Sequence, residues 1–111
     1  MNTVGRRGEK YVSRVLIERG YTIVGHNVYV GKGEIDIIAT KGAWVYFVEV
    51  KTVTCDSSIS PGEQMSTKKV RKFIRASERY ARSKSVTDFS LLFAAVVFKD
   101  KHVHSCSISR L

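Results

Sequence analysis

Apolar positions recur along this chain with two periods, and the switches between them mark out its elements. Val4, Gly8, Tyr11, Val12, Val15 and Leu16 fall on one stripe at a 3.6-residue period, which predicts a helix over residues 3–19 with Gly20 as its C-terminal stop. A period of two follows. "YTIVGHNVYV" (21–30) predicts a strand with a bulge near Gly25. "GEIDIIA" (33–39) and "WVYFVEVKT" (44–52) predict two more, joined by a short turn at Lys41-Gly42. Residues 53–64, with the chain's one proline, Pro61, predict a loop. Helical period returns over 65–84, where Val70, Phe73, Ile74, Ser77, Tyr80 and Ala81 share a face. The nearly continuous apolar run "FSLLFAAVVF" (89–98) predicts a strand buried on both faces. After a turn at Lys99-Asp100, "HVHSCSIS" (102–109) alternates as a final, more exposed strand. The order α-β-β-β-α-β-β implies an α/β fold with a mixed central sheet flanked by helices, in a single domain spanning residues 1–111.

Two strands interrupt this pattern with charge. Side chains alternate across a strand, so Glu34 shares a face with Asp36, and Glu49 shares one with Lys51 and Phe47. With Lys41-Gly42 as a two-residue turn, Thr40 faces Ala43, Asp36 faces Phe47 and Glu34 faces Glu49. All four charged residues then project from one face of one hairpin. Carboxylates ~5 Å apart at an effective dielectric of ~20 repel by roughly 3 kcal/mol per pair. Lys51 offsets part of that, and under a covering helix a divalent cation offsets more. The all-oxygen donors suit Mg²⁺ or Mn²⁺ rather than zinc. A metal held by carboxylates beside a lysine can bind a phosphoryl oxygen and activate water, which is the equipment of phosphodiester hydrolysis. The competing reading is a solvent-facing hairpin with ordinary Lys–Glu pairing across strands.

Charge favours the first reading. The 111 residues carry 19 Lys and Arg against 10 Asp and Glu, a formal net charge of +9, which points to a polyanionic partner. The second helix sorts this charge. Lys68, Lys72, Arg75, Arg79 and Arg82 line the side opposite its apolar face, with Glu78 the one acid among them. A stripe of one sign suits phosphate tracking, whereas a solvated face usually mixes signs. The first helix repeats the theme with Arg6, Lys10 and Arg14, while Glu9 borders its buried stripe. At 43% hydrophobic the chain can build a core, yet no apolar run reaches the ~18 residues of a membrane span. "MNTVGRRGEKYV" has no signal-peptide apolar region, so the cytoplasm is expected. Cys55 and Cys106 lack metal-site spacing and are expected to be free thiols. His102 and His104 share a strand face but have no acid beside them, which fits exposed strand residues better than ligands.

The segments "GRRGEKY", "GEIDIIA" and "FVEVKT" together resemble the YraN-like family of predicted bacterial endonucleases. That family lies within the PD-(D/E)XK superfamily of restriction-endonuclease-like fold and is related to archaeal Holliday-junction resolvases. The resemblance implies an α-β-β-β-α-β core in which Asp36 and Glu49 ligate Mg²⁺ or Mn²⁺ and Lys51 is the catalytic lysine. It makes Glu9 an accessory acid, leaves Glu34 as a further candidate ligand, and brings Lys69 toward DNA or the site. It also implies DNA as partner, branched or structured DNA among the substrates, and a homodimer as one assembly. The chain departs from the family where an arginine is expected and Tyr29 or Val53 stands, and where Ala94 replaces an acid. These departures keep a second function class open: a nucleic-acid-binding module that retains the fold without catalysis.

Overall fold

The protein is described by a computed structural model over residues 3–55 and 67–111. Its elements are helix α1 (Thr3–Glu18), strands β1 (Thr22–Val30), β2 (Gly33–Lys41) and β3 (Trp44–Thr54), helix α2 (Thr67–Ser83), and strands β4 (Phe89–Lys99) and β5 (His102–Arg110). The order is the one the hydrophobic periods imply. The loop expected over 53–64 lies outside the described residues from 56 onward, and so do Pro61 and the first residues of the expected second helix. Val53 and Thr54 instead continue β3.

The strands form one sheet in the order β1-β2-β3-β4-β5. β3 and β4 are parallel, with α2 as their crossover, and the other neighbours are antiparallel. The result is a mixed sheet between helices, consistent with a restriction-endonuclease-like fold. Among the described residues no helix is long and apolar enough to cross a membrane.

Each helix covers one face and builds its own core. Val12 and Leu16 of α1 pack with Ile37, Ala39, Val48, Val50, Leu92, Ala94 and Val96. Phe73, Ala76 and Ala81 of α2 pack with Ile35, Ile38 and Phe47, whose ring meets Tyr80 and Phe89 edge-on. β4 corrects the expectation of burial on both sides. Leu92, Ala94, Val96 and Phe98 are buried, but the residues between them are only half-buried, because α2 lies over β2 and β1 more than over β4. Cys55 and Cys106 are free thiols, and His102 and His104 are both exposed.

Helix ends and turns follow from local backbone chemistry. Gly20 adopts φ 94°, and the N–H groups of Gly20 and Tyr21 bond the carbonyls of Ile17 and Leu16. This paired closure satisfies the last carbonyls of α1. Ser85, at φ 54°, closes α2 the same way, with Val86 bonding the Ala81 carbonyl. Two turns sit one residue later than expected. Lys41 pairs with Trp44, so the β2–β3 turn is Gly42-Ala43 rather than Lys41-Gly42, with Gly42 at φ 62°. Glycine tolerates that φ at the first turn position, whereas Lys41 stays in the strand. There the Lys41 ammonium donates to the Arg19 carbonyl at 2.9 Å and lies over the Tyr21 ring. The β4–β5 turn is Asp100-Lys101, not Lys99-Asp100, since Lys99 pairs with His102.

α1 approaches β3 most closely at Gly8, where a β-carbon would fall 2.0 Å from Thr52 Oγ1. Thr52 Oγ1 is buried without a hydrogen-bond partner. Alanine would add up to ~1 kcal/mol of helix stability, but overpacking costs ~1–3 kcal/mol. Gly8→Ala is therefore expected to lower stability by about 1–2 kcal/mol. Adding Thr52→Ala should recover most of it, because it removes the clashing atom and orphans no partner. Urea-unfolding midpoints of the two variants check this.

Candidate active site

The site begins where the sheet splits. β2 and β3 pair from Lys41–Trp44 to Ile37–Val48, and there the ladder ends. The Val50 N–H lies just past the split and donates to Asp36 Oδ2 at 2.8 Å. A carboxylate thus stands in for the missing backbone acceptor, as a buried donor requires. Alternation along β2 breaks at the same place. Ile35 and Ile38, three residues apart, join the core under α2, while Ile37 joins the core under α1. Asp36 lies at the crossing point and reaches groups on both sides of the sheet.

The placement corrects the register expected for the hairpin. Phe47 faces Ile38, not Asp36, and continuing the ladder past Ile37–Val48 would set Asp36 against Glu49. Neither do the four charged residues share one face, because of the break at Asp36. What brings Asp36, Glu49 and Glu34 together is the split in the sheet. Lys51 follows Glu49 on β3 and is half-buried, on Glu49's face by alternation. It does not line the cleft holding the acids, an open space of ≈ 250 Å³ bounded by Lys32, Glu34, Asp36, Glu49, Lys69 and Lys72.

The acids are crowded together and mutually bonded. Glu49 is 4% exposed and Asp36 is 8% exposed. Burial, then a hydrogen bond to Asp36 and its charge, push the Glu49 carboxyl up to about 9, against a smaller opposing effect of Lys69. Burial also raises Glu34, which hydrogen-bonds both Tyr29 and Asp36. Glu9 on α1 is raised by burial and by the charge of Asp36, with Arg6 opposing. Asp36 is therefore the common acceptor for Glu49, Glu34 and the Val50 N–H. The donor set is all oxygen, as hard divalent cations require. Among the described residues, however, no three His, Cys, Asp or Glu side chains stand in ready metal-binding geometry. The acids close on one another instead.

A profile described as "Uncharacterised protein family UPF0102" matches residues 8–99. The chain belongs to this family. It is the YraN-like family that the three sequence segments resemble. A UPF0102 protein of Alkaliphilus metalliredigens is 31% identical over 105 residues, covering 92% of each chain. Another, from Parabacteroides distasonis, is 37% identical over 81 residues, covering 73% of this chain and 67% of its own. A third, from Clostridium acetobutylicum, is 35% identical over 92 residues, covering 83% and 75%. The matched span includes Glu9, Glu34, Asp36, Glu49, Lys51 and Lys69, the residues that the resemblance singles out.

The basic residues singled out in the sequence lie on the exposed sides of both helices. Lys68, Lys69, Lys72, Arg75, Arg79 and Arg82 are all exposed on α2. Lys69 and Lys72 edge the acid cleft, and Arg75 and Arg79 continue beside the Gly31-Lys32 turn. Arg6 and Lys10 are exposed on the opposite layer. Three further residues join the site without having been singled out for it. Asn27, at φ 49°, sits within a strand. With its nitrogen toward the acids, the orientation those acceptors demand, it donates to Glu9 Oε1 at 3.0 Å and Glu34 Oε1 at 3.2 Å. An asparagine inside an alternating strand was the available signal, since that residue type favours the left-handed region. Tyr29, which stands where the resemblance expects an arginine, bonds Glu34, and Lys32 edges the cleft without standing out in the sequence.

The raised Glu49 carboxyl has a consequence for stability. A glutamic acid whose folded pKa lies above its unfolded value stabilises fully below about 4.5, and that contribution is lost as pH climbs toward about 9. In metal-free protein, Glu49→Gln removes this loss. The variant is expected to gain stability relative to the parent as pH rises from 5 to 8.5, with the difference vanishing toward pH 4. Urea midpoints across that range check it; a pH-independent difference would contradict the buried, protonated carboxyl.

Proposed function

We propose that this protein is a metal-dependent endonuclease that hydrolyses phosphodiester bonds in DNA. The observation that carries the reading is the buried, mutually bonded Asp36–Glu49 pair at the split of the sheet, edged by lysines of α2. A cluster of buried carboxyls is a costly feature for a fold to keep without a charge to bind. Asp36 and Glu49 would hold Mg²⁺ or Mn²⁺, with Glu34 and Glu9 as adjoining acids. Their present hydrogen bonds mean that a cation would take the place of shared protons. When bound, the cation supplies Lewis-acid stabilisation of a phosphoryl oxygen and activates water.

The chain's own residues supply the remainder. The Val50 N–H fixes the Asp36 carboxylate so that it does not swing with its rotamer. Lys51, on Glu49's strand face, can orient the attacking water or stabilise charge as the phosphorane forms. Lys69, Lys72, Arg75 and Arg79 grip phosphates along α2, which gives affinity and salt dependence rather than sequence reading. The family description names no activity; the reading stands on the site and on the resemblance.

A second reading has one observation in its favour. The acids do not stand in ready metal-binding geometry, as a nucleic-acid-binding module with a retired site would show. Calorimetric titration with Mn²⁺ separates the two. Under the nuclease reading, the parent binds the ion, Asp36→Asn does not, and Glu49→Gln lowers Mg²⁺-dependent cleavage by at least ~10²-fold while DNA affinity holds. Undiminished cleavage by Glu49→Gln, or no Mn²⁺ binding that depends on Asp36, overturns it.

A further inference from the structure

Tyr29 is the most exposed large hydrophobic side chain among the described residues, at 76%. It is also tied down. Its hydroxyl hydrogen-bonds Glu34, the residue it pairs with across β1 and β2. An exposed tyrosine normally samples several rotamers; this one has its polar tip anchored in the acid site and its ring in solvent. On the other side of Glu34, Asn27 joins Glu34 to Glu9. Glu9 and Asn27 in turn line a groove of ≈ 640 Å³ between α1 and β1, together with Arg6, Arg7, Lys10 and His26. One continuous path therefore runs from a basic groove, past the acids, to an aromatic platform. It lies on the layer opposite the α2 stripe.

We infer that this path holds an unpaired strand of DNA, with phosphates in the α1–β1 groove and a base stacked on Tyr29. The inference rests on the nuclease reading for the scissile site but not for binding. A single strand needs a basic track and an aromatic face, and both are present here in sequence along the path. A continuous duplex offers no exposed base face to Tyr29, because its bases are stacked on one another. The α2 stripe, which has no such platform beside it among the described residues, takes duplex backbone. The preferred substrate is then DNA with a single-stranded arm beside a duplex, cut where the arm crosses the acids.

Fluorescence anisotropy in EDTA tests this with three labelled DNAs of common sequence: single-stranded, blunt duplex, and duplex with a single-stranded arm. The armed DNA is expected to bind tightest. Tyr29→Ala should weaken the armed and single-stranded complexes by about 5- to 150-fold, the span of base–aromatic stacking, and leave the blunt duplex within about twofold. Tyr29→Phe should keep the preference, because it retains the ring. Lys10→Gln should reduce the salt dependence of single-strand binding by about one phosphate contact. Tightest binding to blunt duplex, or an equal effect of Tyr29→Ala on all three DNAs, overturns the inference. Because binding is read without metal, absence of Mg²⁺-dependent cleavage would overturn the nuclease reading and leave this result standing.

Discussion

The hydrogen bond from the Val50 N–H to Asp36 Oδ2 governs how the rest of the site is built. β3 is held along its other edge by an unbroken parallel ladder to β4, from Val45–Phe89 to Thr54–Phe98. It therefore cannot follow β2 when β2 turns away after Ile37. An N–H left facing the gap would carry the cost of a buried unsatisfied donor, of order 1–3 kcal/mol. The Asp36 carboxylate removes that cost. In doing so it is fixed in the plane of the sheet, where neither helix layer excludes it from the other.

Everything acidic in the site is arranged around that carboxylate. Glu49 comes from β3, Glu34 from β2 and Glu9 from α1, and the charge of Asp36 raises all three. Desolvation is the largest cause in each case, so the site depends on coverage as much as on the meeting of charges. That coverage comes from two close approaches. Gly8 lets α1 settle against Thr52, and Gly33 lies under α2, where a β-carbon would fall 2.7 Å from the Lys72 carbonyl. Neither helix could sit as close with a larger residue at these points.

The basic residues are partitioned by the same layering. α2 carries its stripe past one mouth of the acid cleft, and α1 carries Arg6 and Lys10 along the other side of the sheet. A net charge of +9 spread evenly would attract polyanions without orienting them. Here the positive charge flanks the acid cleft on two sides. Under the proposed function, that arrangement would draw a nucleic-acid backbone toward the acids.

The order of elements, the apolar face of each helix, the bulge in β1 and the stop at Gly20 were legible in the sequence, because each is set by local periodicity or by one residue's backbone preference. Asp36 and Glu49 were legible too, as charge within strands bound for the interior, whereas Lys51 does not line the cleft that holds them. The turn was misplaced by one residue, at Lys41-Gly42 instead of Gly42-Ala43, and this did little harm. Moving a two-residue turn by one position shifts the register by two, which changes every partner but keeps every side chain on its face. Other features were decided only by the tertiary structure. The half-open face of β4 depends on where α2 lies. The break at Asp36 and the left-handed Asn27 opposite it depend on where the β2–β3 ladder ends while β3 stays paired with β4. No local pattern records that ending. The sequence by itself determined the elements and where charge interrupts their apolar pattern; the splitting of the sheet decided which of those charges meet.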